Sequence, residues 1–497
     1  MKKSTLAIAV VAALAASYPG AAWLTGKRLE AKLTKTEKND AAFSQLKVVS
    51  QTYTRGLFSS TQEQTYELAE GFIPGLGERT VEIDQSQTEK SGEGEWPSDD
   101  APVKTHFKPF QFKVINHITH GPFPGTLGIA AGKVETEFVI DPKVLAEIKK
   151  VFGDKKFLEL TTMLNYSGGG TLKIASPALT YKDPNGSTSV NWKGFKAEIG
   201  FDEDYKKLQF NVNTPGIEVT DVNDAGSFTM GEFKASGNVD RAFGDFMLYL
   251  GKTNASIANI EFQSRAMGGF KAGNISLESD SNAHRDLIDM GIKIGMASFK
   301  AGEAEFSNFH YDYSLKNIHA ETLGKLSKEF SAVSKSGVNS REQMVQFQEI
   351  WKKHGMTLLK YDPILSLDRL SINGKNGEFK TTAKIKLVGV TEADFAMPQA
   401  LLQKIEGEVD VNFADALIEE VVNMTQKDPN SRAMALSMAK ASVGAMEGQG
   451  YITRKDKNLS SHMEWKQGKA TINGKPYPPV MNAAPAVPAQ EGEMPVQ

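Results

Sequence analysis

The chain carries eight histidines, 60 carboxylates and no cysteine among its 497 residues, and those counts bound the chemistry open to it. Without a thiol, disulfides, thiolate zinc sites, iron–sulfur ligation and a cysteine nucleophile are all excluded. His117 and His120 form the one close histidine pair. Three apart in an extended segment, they face opposite sides and do not share a metal ion. Two short blocks hold the residues most able to act: Tyr53-Thr-Arg55-Gly56-Leu-Phe58-Ser59-Ser60 and His120-Gly121-Pro122-Phe123-Pro124. Together they offer a general base, His120, beside a cation, Arg55. Their plainer reading is a histidine that satisfies a turn and an arginine that pairs with a surface acid. Gly56 then marks a strand start or bulge, and the two prolines bar helix or central strand.

Other signatures are missing. Gly132-Lys133 lacks the upstream glycine and the following Ser or Thr of a phosphate loop. There is no G-x-S-x-G elbow and no H-E-x-x-H. Residues 82–100 hold seven carboxylates against Lys90, but without calcium-loop spacing they read as a solvated loop. The expectation is a protein that is not an enzyme, with no catalytic residue, cofactor or metal. A formal net charge of −3 gives no footprint for nucleic acid.

The elements around these blocks begin with Leu6–Leu24, an uncharged run between Lys2-Lys3 and Lys27-Arg28. As a helix it spans roughly a bilayer core. Tyr18 and Trp23 suit the membrane–water boundary, so Leu6, Tyr18, Trp23 and Leu24 mark an anchor. Ala13-Leu-Ala15 also offers a signal-cleavage site, though cutting there discards only half the run. Basic residues on both flanks nearly tie the positive-inside count, and the very short leading tail favours the N-terminus inside. The organisation expected is an anchor over 1–26, a β-rich periplasmic domain over 27–476 and a disordered Pro-rich tail over 477–497. Residues 25–46 read as a helical stalk.

The fold class expected is α+β and β-dominated: a single N-terminal transmembrane helix, then a long antiparallel β-meander with a few packed helices. Leu208, Phe210 and Val212 alternate with polar residues, as a half-buried strand does. Gly168–Gly170, Asp183–Gly186, Thr214–Gly216, Gln467-Gly468 and Asn473-Gly474 supply turns. Phe-Lys-Ala recurs at 195–197, 233–235, 270–272 and 299–301, as a repeating meander would have it. Helices are expected near 141–153, 340–355 and 413–446. Met434, Met438 and Met446 are expected to pack between helices.

These blocks also carry a resemblance. Gly20-Ala-Ala-Trp23-Leu-Thr25-Gly26-Lys27, the Tyr53–Ser60 block, His120–Pro124, Gly450–Thr453 and Gly468–Gly474 ahead of a Pro-rich tail are similar to the YdgA/YihF family of Gram-negative bacteria. That resemblance implies an inner-membrane protein, single pass, with its bulk in the periplasm, self-associating, and of poorly defined function. It gives Tyr53, Arg55, Gly56, Phe58, His120, Gly121, Pro122 and Phe123 no role. A looser likeness to AsmA-type envelope proteins implies a β-sheet groove for lipid. The expected function is non-enzymatic envelope maintenance, by lipid binding or scaffolding. The alternative is a homodimeric interaction protein supporting envelope assembly or motility.

Overall fold

The computed structural model describes residues 21–31, 33–34, 46–68, 78–83, 103–108, 111–121, 123–124, 129–139, 142–221, 226–243, 248–265, 268–302, 304–335, 340–391, 393–394, 398–426 and 428–477. Antiparallel sheet dominates, with a few helices. Contacts divide the chain into two compact units. The first takes residues 1–223, 228–253 and 331–338, and the second takes 224–227, 254–330 and 339–497.

In the first unit the strands are β1 (Leu46–Arg55), β2 (Ser59–Leu68), β3 (Glu78–Ile83), β4 (Val103–Lys108), β5 (Gln111–His120), β6 (Gly132–Val139), β7 (Glu159–Leu164) and β8 (Gly170–Ser176). There follow β9 (Leu179–Lys182), β10 (Thr188–Trp192), β11 (Phe195–Phe201), β12 (Lys207–Thr214), β13 (Ile217–Asp221) and β15 (Phe233–Ala242), while β14 (Gly226–Met230) and β16 (Leu248–Ser264) have residues in both units. One ladder runs β1–β2–β5–β6–β7–β8–β11–β12–β15, antiparallel at every step. Strands β3 and β4 pair with each other, and β10 pairs with β9 and β13.

Because side chains alternate along a strand, each register row belongs to one face. Ser60, Ile118, Val134, Thr162, Leu172, Ile199, Phe210 and Gly237 form one such row. A neighbouring row on that face runs Gln62, Asn116, Thr136, Leu160, Ile174, Ala197, Val212 and Ala235. The second row begins polar and ends apolar, whereas the first is aliphatic from Ile118 on apart from Thr162 and the aromatic and glycine at its end. The opposite face carries ion pairs such as Lys113–Glu63 and Lys173–Glu198, so the sheet is two-sided in the way strand alternation demands.

Helix α1, residues 21–31 and 33, lies on the first part of that face. Ala22, Thr25, Gly26, Leu29 and Leu33 recur at helical spacing. Leu29 joins Ile118, Val134 and Leu164 in a buried cluster, with Leu33, Tyr53 and Phe201 packed against it. Part of the helical stalk expected over 25–46 is observed, at residues 25–31 and 33. The helical segment is docked through its small-and-apolar face, and Leu46 already belongs to β1. Residues 1–20, with Leu6 and Tyr18, lie outside the described residues, as does most of the acidic 82–100 stretch. Among the described residues no helix is long and apolar enough to cross a membrane.

In the second unit β17 (Gly268–His284), β18 (Leu287–Ala301), β19 (Ala304–His319), β20 (Ile364–Asn373), β21 (Glu378–Leu387), β22 (Ile405–Ala414) and β24 (Asn458–Lys466) pair in order. Strands β23 (Thr453–Lys455) and β25 (Lys469–Ile472) each pair with β24, and β26 (Lys475–Tyr477) pairs with β25. Gln467, Gly468, Asn473 and Gly474 all have positive φ, so the two expected turns close as left-handed two-residue hairpins.

Several expected boundaries move. The helix Ser340–Leu359 runs through Gly355, where the Trp351 ring packs close to the backbone, and stops short of Pro363 instead. Phe413 lies in β22, opposite Phe379 and Leu459, and the helix starts at Ala416. Tyr477 ends a strand and meets the Tyr451 ring, so it is not part of the tail. Met434, Met438 and Met446 are exposed, not packed between helices as expected. In Pro429–Gln449 the inward face is Ala435, Leu436, Ala439 and Val443, which leaves these methionines outside. The Phe-Lys-Ala echo is real in part: Lys196 and Lys234 flank Asn213, so the copies in β11 and β15 share a row. The other two lie antiparallel, Phe270 opposite Ala301, and are not translational repeats.

Ile118 is 1% exposed at the centre of the α1 cluster. Replacing it by Ala is expected to cost about 2–5 kcal/mol. Denaturant unfolding followed at the first unit checks this, with exposed Val139→Ala as the near-neutral reference.

Candidate functional site

Three of the sequence blocks, at 20–27, 53–60 and 120–124, meet in space around α1 through their described residues. Residues 21–27 open α1, Tyr53–Ser60 span the β1–β2 hairpin turn, and His120 ends β5. The Gly56 amide donates to the Ser59 carbonyl at 2.7 Å, and the His120 amide donates to the Phe58 carbonyl at 2.9 Å. These bonds set the hairpin turn beside the end of β5.

The His120 side chain is 1% exposed and lies under the helix. Its Nδ1 is 2.9 Å from the Ala22 carbonyl and its Nε2 is 3.2 Å from Ser60 Oγ. A carbonyl only accepts, so Nδ1 carries the proton and Nε2 accepts from the serine hydroxyl. The ring fits because residue 26 is glycine: a β-carbon there would stand 2.6 Å from His120 Cε1. Gly132 plays the same part for Leu29, whose Cδ1 would be 2.7 Å from an added β-carbon. At the far end of the helix, Gln62 Nε2 donates to the Leu33 carbonyl at 2.9 Å. Gln62 Oε1 accepts from Asn116 Nδ2 at 3.0 Å, and Asn116 Oδ1 accepts from Thr136 Oγ1 at 2.7 Å. Two buried side chains thus hold two backbone carbonyls of one helix, each backed by a further partner. Buried polar groups are stable only when so satisfied.

Charge closes the outer side. Arg55 Nη1 pairs with Glu30 Oε2 at 2.9 Å. The same guanidinium lies 5.5 Å from the Trp23 ring centre, and Lys27 Nζ lies 5.6 Å from it, both within cation–π range. The Tyr53 phenol is pushed above its ordinary value, first by burial. Its hydroxyl meets no partner with hydrogen-bond geometry, while Ser60 and Arg55 nearby pull the value down and Glu30 pushes it up.

The structure therefore brings together Tyr53, Arg55, Gly56, Phe58, His120 and Trp23. Gly121 holds the next loop by donating to the Ala131 carbonyl at 3.3 Å, with a left-handed φ of 129°. Phe123 and Leu24 are exposed, and Pro122 lies outside the described residues. His117 faces away, pairing with Glu137 at 3.2 Å. Sequence reading missed Gln62 and Glu30, and it gave no part to Ser60 or Gly26 although both lie in the blocks it singled out. Ser60, Gln62 and Gln64 alternate in β2 as buried positions, and three successive polar residues on one face of a strand were the available signal.

Ser60 and His120 have the atoms of a nucleophile and its base, but both are buried beneath α1, and the histidine is committed to a backbone carbonyl. Among the described residues no group of three His, Asp or Glu side chains is placed to hold a metal ion. In the second unit His462 is held above its ordinary value, chiefly by its hydrogen bond to Asp410 at 2.8 Å. Histidine with a raised folded value stabilises below its ordinary pKa and loses that contribution as pH climbs through the raised one. Asp410→Asn should bring the imidazole titration down, as read by NMR.

Gly26→Val should drive the helix off the His120 ring, costing about 1–3 kcal/mol by overpacking. Hydrogen exchange over residues 21–33 should rise to near that of an exposed helix. His120→Ala should also raise it, because Ser60 loses its buried acceptor, a loss of about 1–3 kcal/mol.

Compared with known proteins, residues 1–480 match the model of a family described as a bacterial protein of unknown function, DUF945. The chain is also similar to Protein YdgA of Escherichia coli (strain K12), 22% identical over 542 aligned positions that take in 99% of this chain and 100% of the relative. The family resemblance read from the sequence blocks is thereby shown.

Proposed function

We propose that this chain, which belongs to the DUF945 family of bacterial proteins of unknown function, is a non-enzymatic envelope protein of the inner membrane. In this reading the apolar run that begins at Leu6 anchors it, the bulk of the chain is periplasmic, and α1, which starts within that run, couples anchor to sheet rigidly. The docked helix carries the reading. Its first turns continue directly from the apolar run, yet Ala22 is fully buried and its carbonyl is bound by His120. A flexible stalk needs no such clasp. The absence of an enzymatic role is supported by the burial of Ser60 and His120, which leaves substrate no approach while α1 is docked.

Envelope maintenance through lipid is favoured by the apolar end of the register rows. Leu172, Ile174, Ile199, Leu208, Phe210 and Val212 share one face and are only half-buried. Apolar surface so arranged suits an acyl chain. The self-associating alternative is favoured by exposed Met434, Met438 and Met446 on one long helix. Light scattering on the detergent-extracted full chain, before and after replacing these three by Ser, separates the two: a dimer lost in the variant supports association.

Fractionation tests the anchor. Carbonate-washed membranes should retain the protein, and protease added to spheroplasts should digest it. Release by osmotic shock of a chain beginning after Ala15 or Ala22 would overturn the anchored reading. Native mass spectrometry of the extracted protein should show bound phospholipid, and its consistent absence would remove the lipid function.

A further inference from the structure

We infer that the loop end of the first unit is a second membrane contact, in which exposed aromatic and aliphatic side chains of three loops sit in the bilayer interface beside the anchor. The inference rests on the anchored reading and goes beyond it, because it assigns a lipid-facing surface to the folded sheet itself.

Large apolar side chains are exposed at nine described positions of this unit, and seven of them lie at one end of the ladder. Trp23 and Leu24 lie on α1, next to the Ala22 carbonyl that His120 binds. Leu57 and Phe58 form the tip of the β1–β2 hairpin. Phe123 and Ile129 belong to the β5–β6 connection, and Ile129 is 77% exposed. Tyr166 lies in the β7–β8 turn. The register places these loops together: His120 is opposite Gly132, Gly132 opposite Leu164, and Leu164 opposite Gly170. The two exceptions, Val49 and Val139, lie in β1 and at the far end of β6. A chance scatter of surface apolar residues does not collect at one edge.

The occupant follows from where α1 comes from. The patch surrounds the point at which the apolar run reaches the fold, so the nearest apolar phase is the one that run enters. With Ala22 claimed by the sheet, Leu6 to Ala21 remain, which as a helix is about 24 Å. A hydrocarbon core is roughly 30 Å. A span that short draws the interface up to its flanking residues, and those are Trp23, Leu24 and the loop tips. Lys27 and Arg55 beside the Trp23 ring supply the cation-and-aromatic pairing that suits an anionic headgroup layer. Beyond Tyr166 the patch ends, since the next turn on this edge is Asp202-Glu203-Asp204.

The cysteine-free chain allows single spin labels at chosen sites. The full-length protein with Phe58→Cys, Phe123→Cys, Ile129→Cys or, as reference, Val139→Cys is reconstituted into vesicles of phosphatidylethanolamine and phosphatidylglycerol. Flotation is scored first, and then the accessibility of each label to oxygen and to a nickel chelate. All four positions are exposed, so the labels leave the fold intact, which circular dichroism checks. Labels at 58, 123 and 129 are expected to favour oxygen over nickel, with the ratio inverted at 139. Vesicles that float while all four labels read water overturn the second contact and leave the anchor standing. Failure to float overturns both. Labels shielded from both quenchers, with spin–spin broadening, would assign the patch to a second copy of the chain and overturn the lipid assignment.

Discussion

The contact between the Gly26 backbone and the face of the His120 ring is the constraint on which the first unit depends. Only a residue without a β-carbon lets the imidazole approach the helix closely enough for Nδ1 to reach the Ala22 carbonyl. That single bond ties a segment near the N-terminus to the end of a strand 98 residues later. It also decides which face of α1 turns inward, and so brings Leu29 over Ile118, Val134 and Leu164. The ion pair of Glu30 with Arg55 then falls on the outer flank, where water screens it and it contributes little to stability.

Burying Ser60, Gln62 and Gln64, with Asn116 and Thr136 half-buried beside them, looks wasteful next to the apolar rows that follow on the same face. Leucines in those places would give more transfer free energy. They would not tell one helix position from another. Carbonyls of residues 22 and 33 stand eleven residues apart on one helix, and side chains on β5 and β2 claim one each. A slip of one residue rotates the helix by about 100° and breaks both bonds. The buried polar row therefore gives position rather than strength, which is the use best attested for such groups.

Strand alternation, hairpin glycines and the dominance of antiparallel sheet were legible from the residues alone, because each has a local cause. Leu208, Phe210 and Val212 share a face for the same reason that any period-two pattern does. Asn473-Gly474 turns because both residues accept positive φ. What was not legible depended on partners distant in the chain. Nothing near His120 says that it will lie against Gly26, and nothing in Pro429–Gln449 says that its small inward residues leave the methionines outside. The Ser340–Leu359 helix ran past its glycine because a lone Gly costs about 1 kcal/mol within a helix, less than tertiary packing returns. Tyr53, Arg55 and His120 could be singled out as a group, but their common task required the helix to be in place.

The polar clasp and the apolar rows are two parts of one face, and their order matters. From β2 to β6 polar inward residues such as Gln62, Asn116, Thr136 and His120 stand beside Ile118 and Val134, and from β7 to β15 the inward positions are mostly aliphatic or aromatic. The helix covers the polar part, where only a backbone with spare carbonyl lone pairs is a good partner. Hydrocarbon cannot satisfy Ser60, Gln62 or His120, so an acyl chain placed there would leave them unpaired at a cost of about 1–3 kcal/mol each. A helix placed on the aliphatic rows would find nothing to hold its carbonyls. Chemistry along the face thus separates the part that α1 covers, where Gln62 and His120 claim backbone carbonyls, from the half-buried aliphatic rows. The boundary between them falls near Leu164 and Thr162, where Leu29 makes the last aliphatic contact of α1.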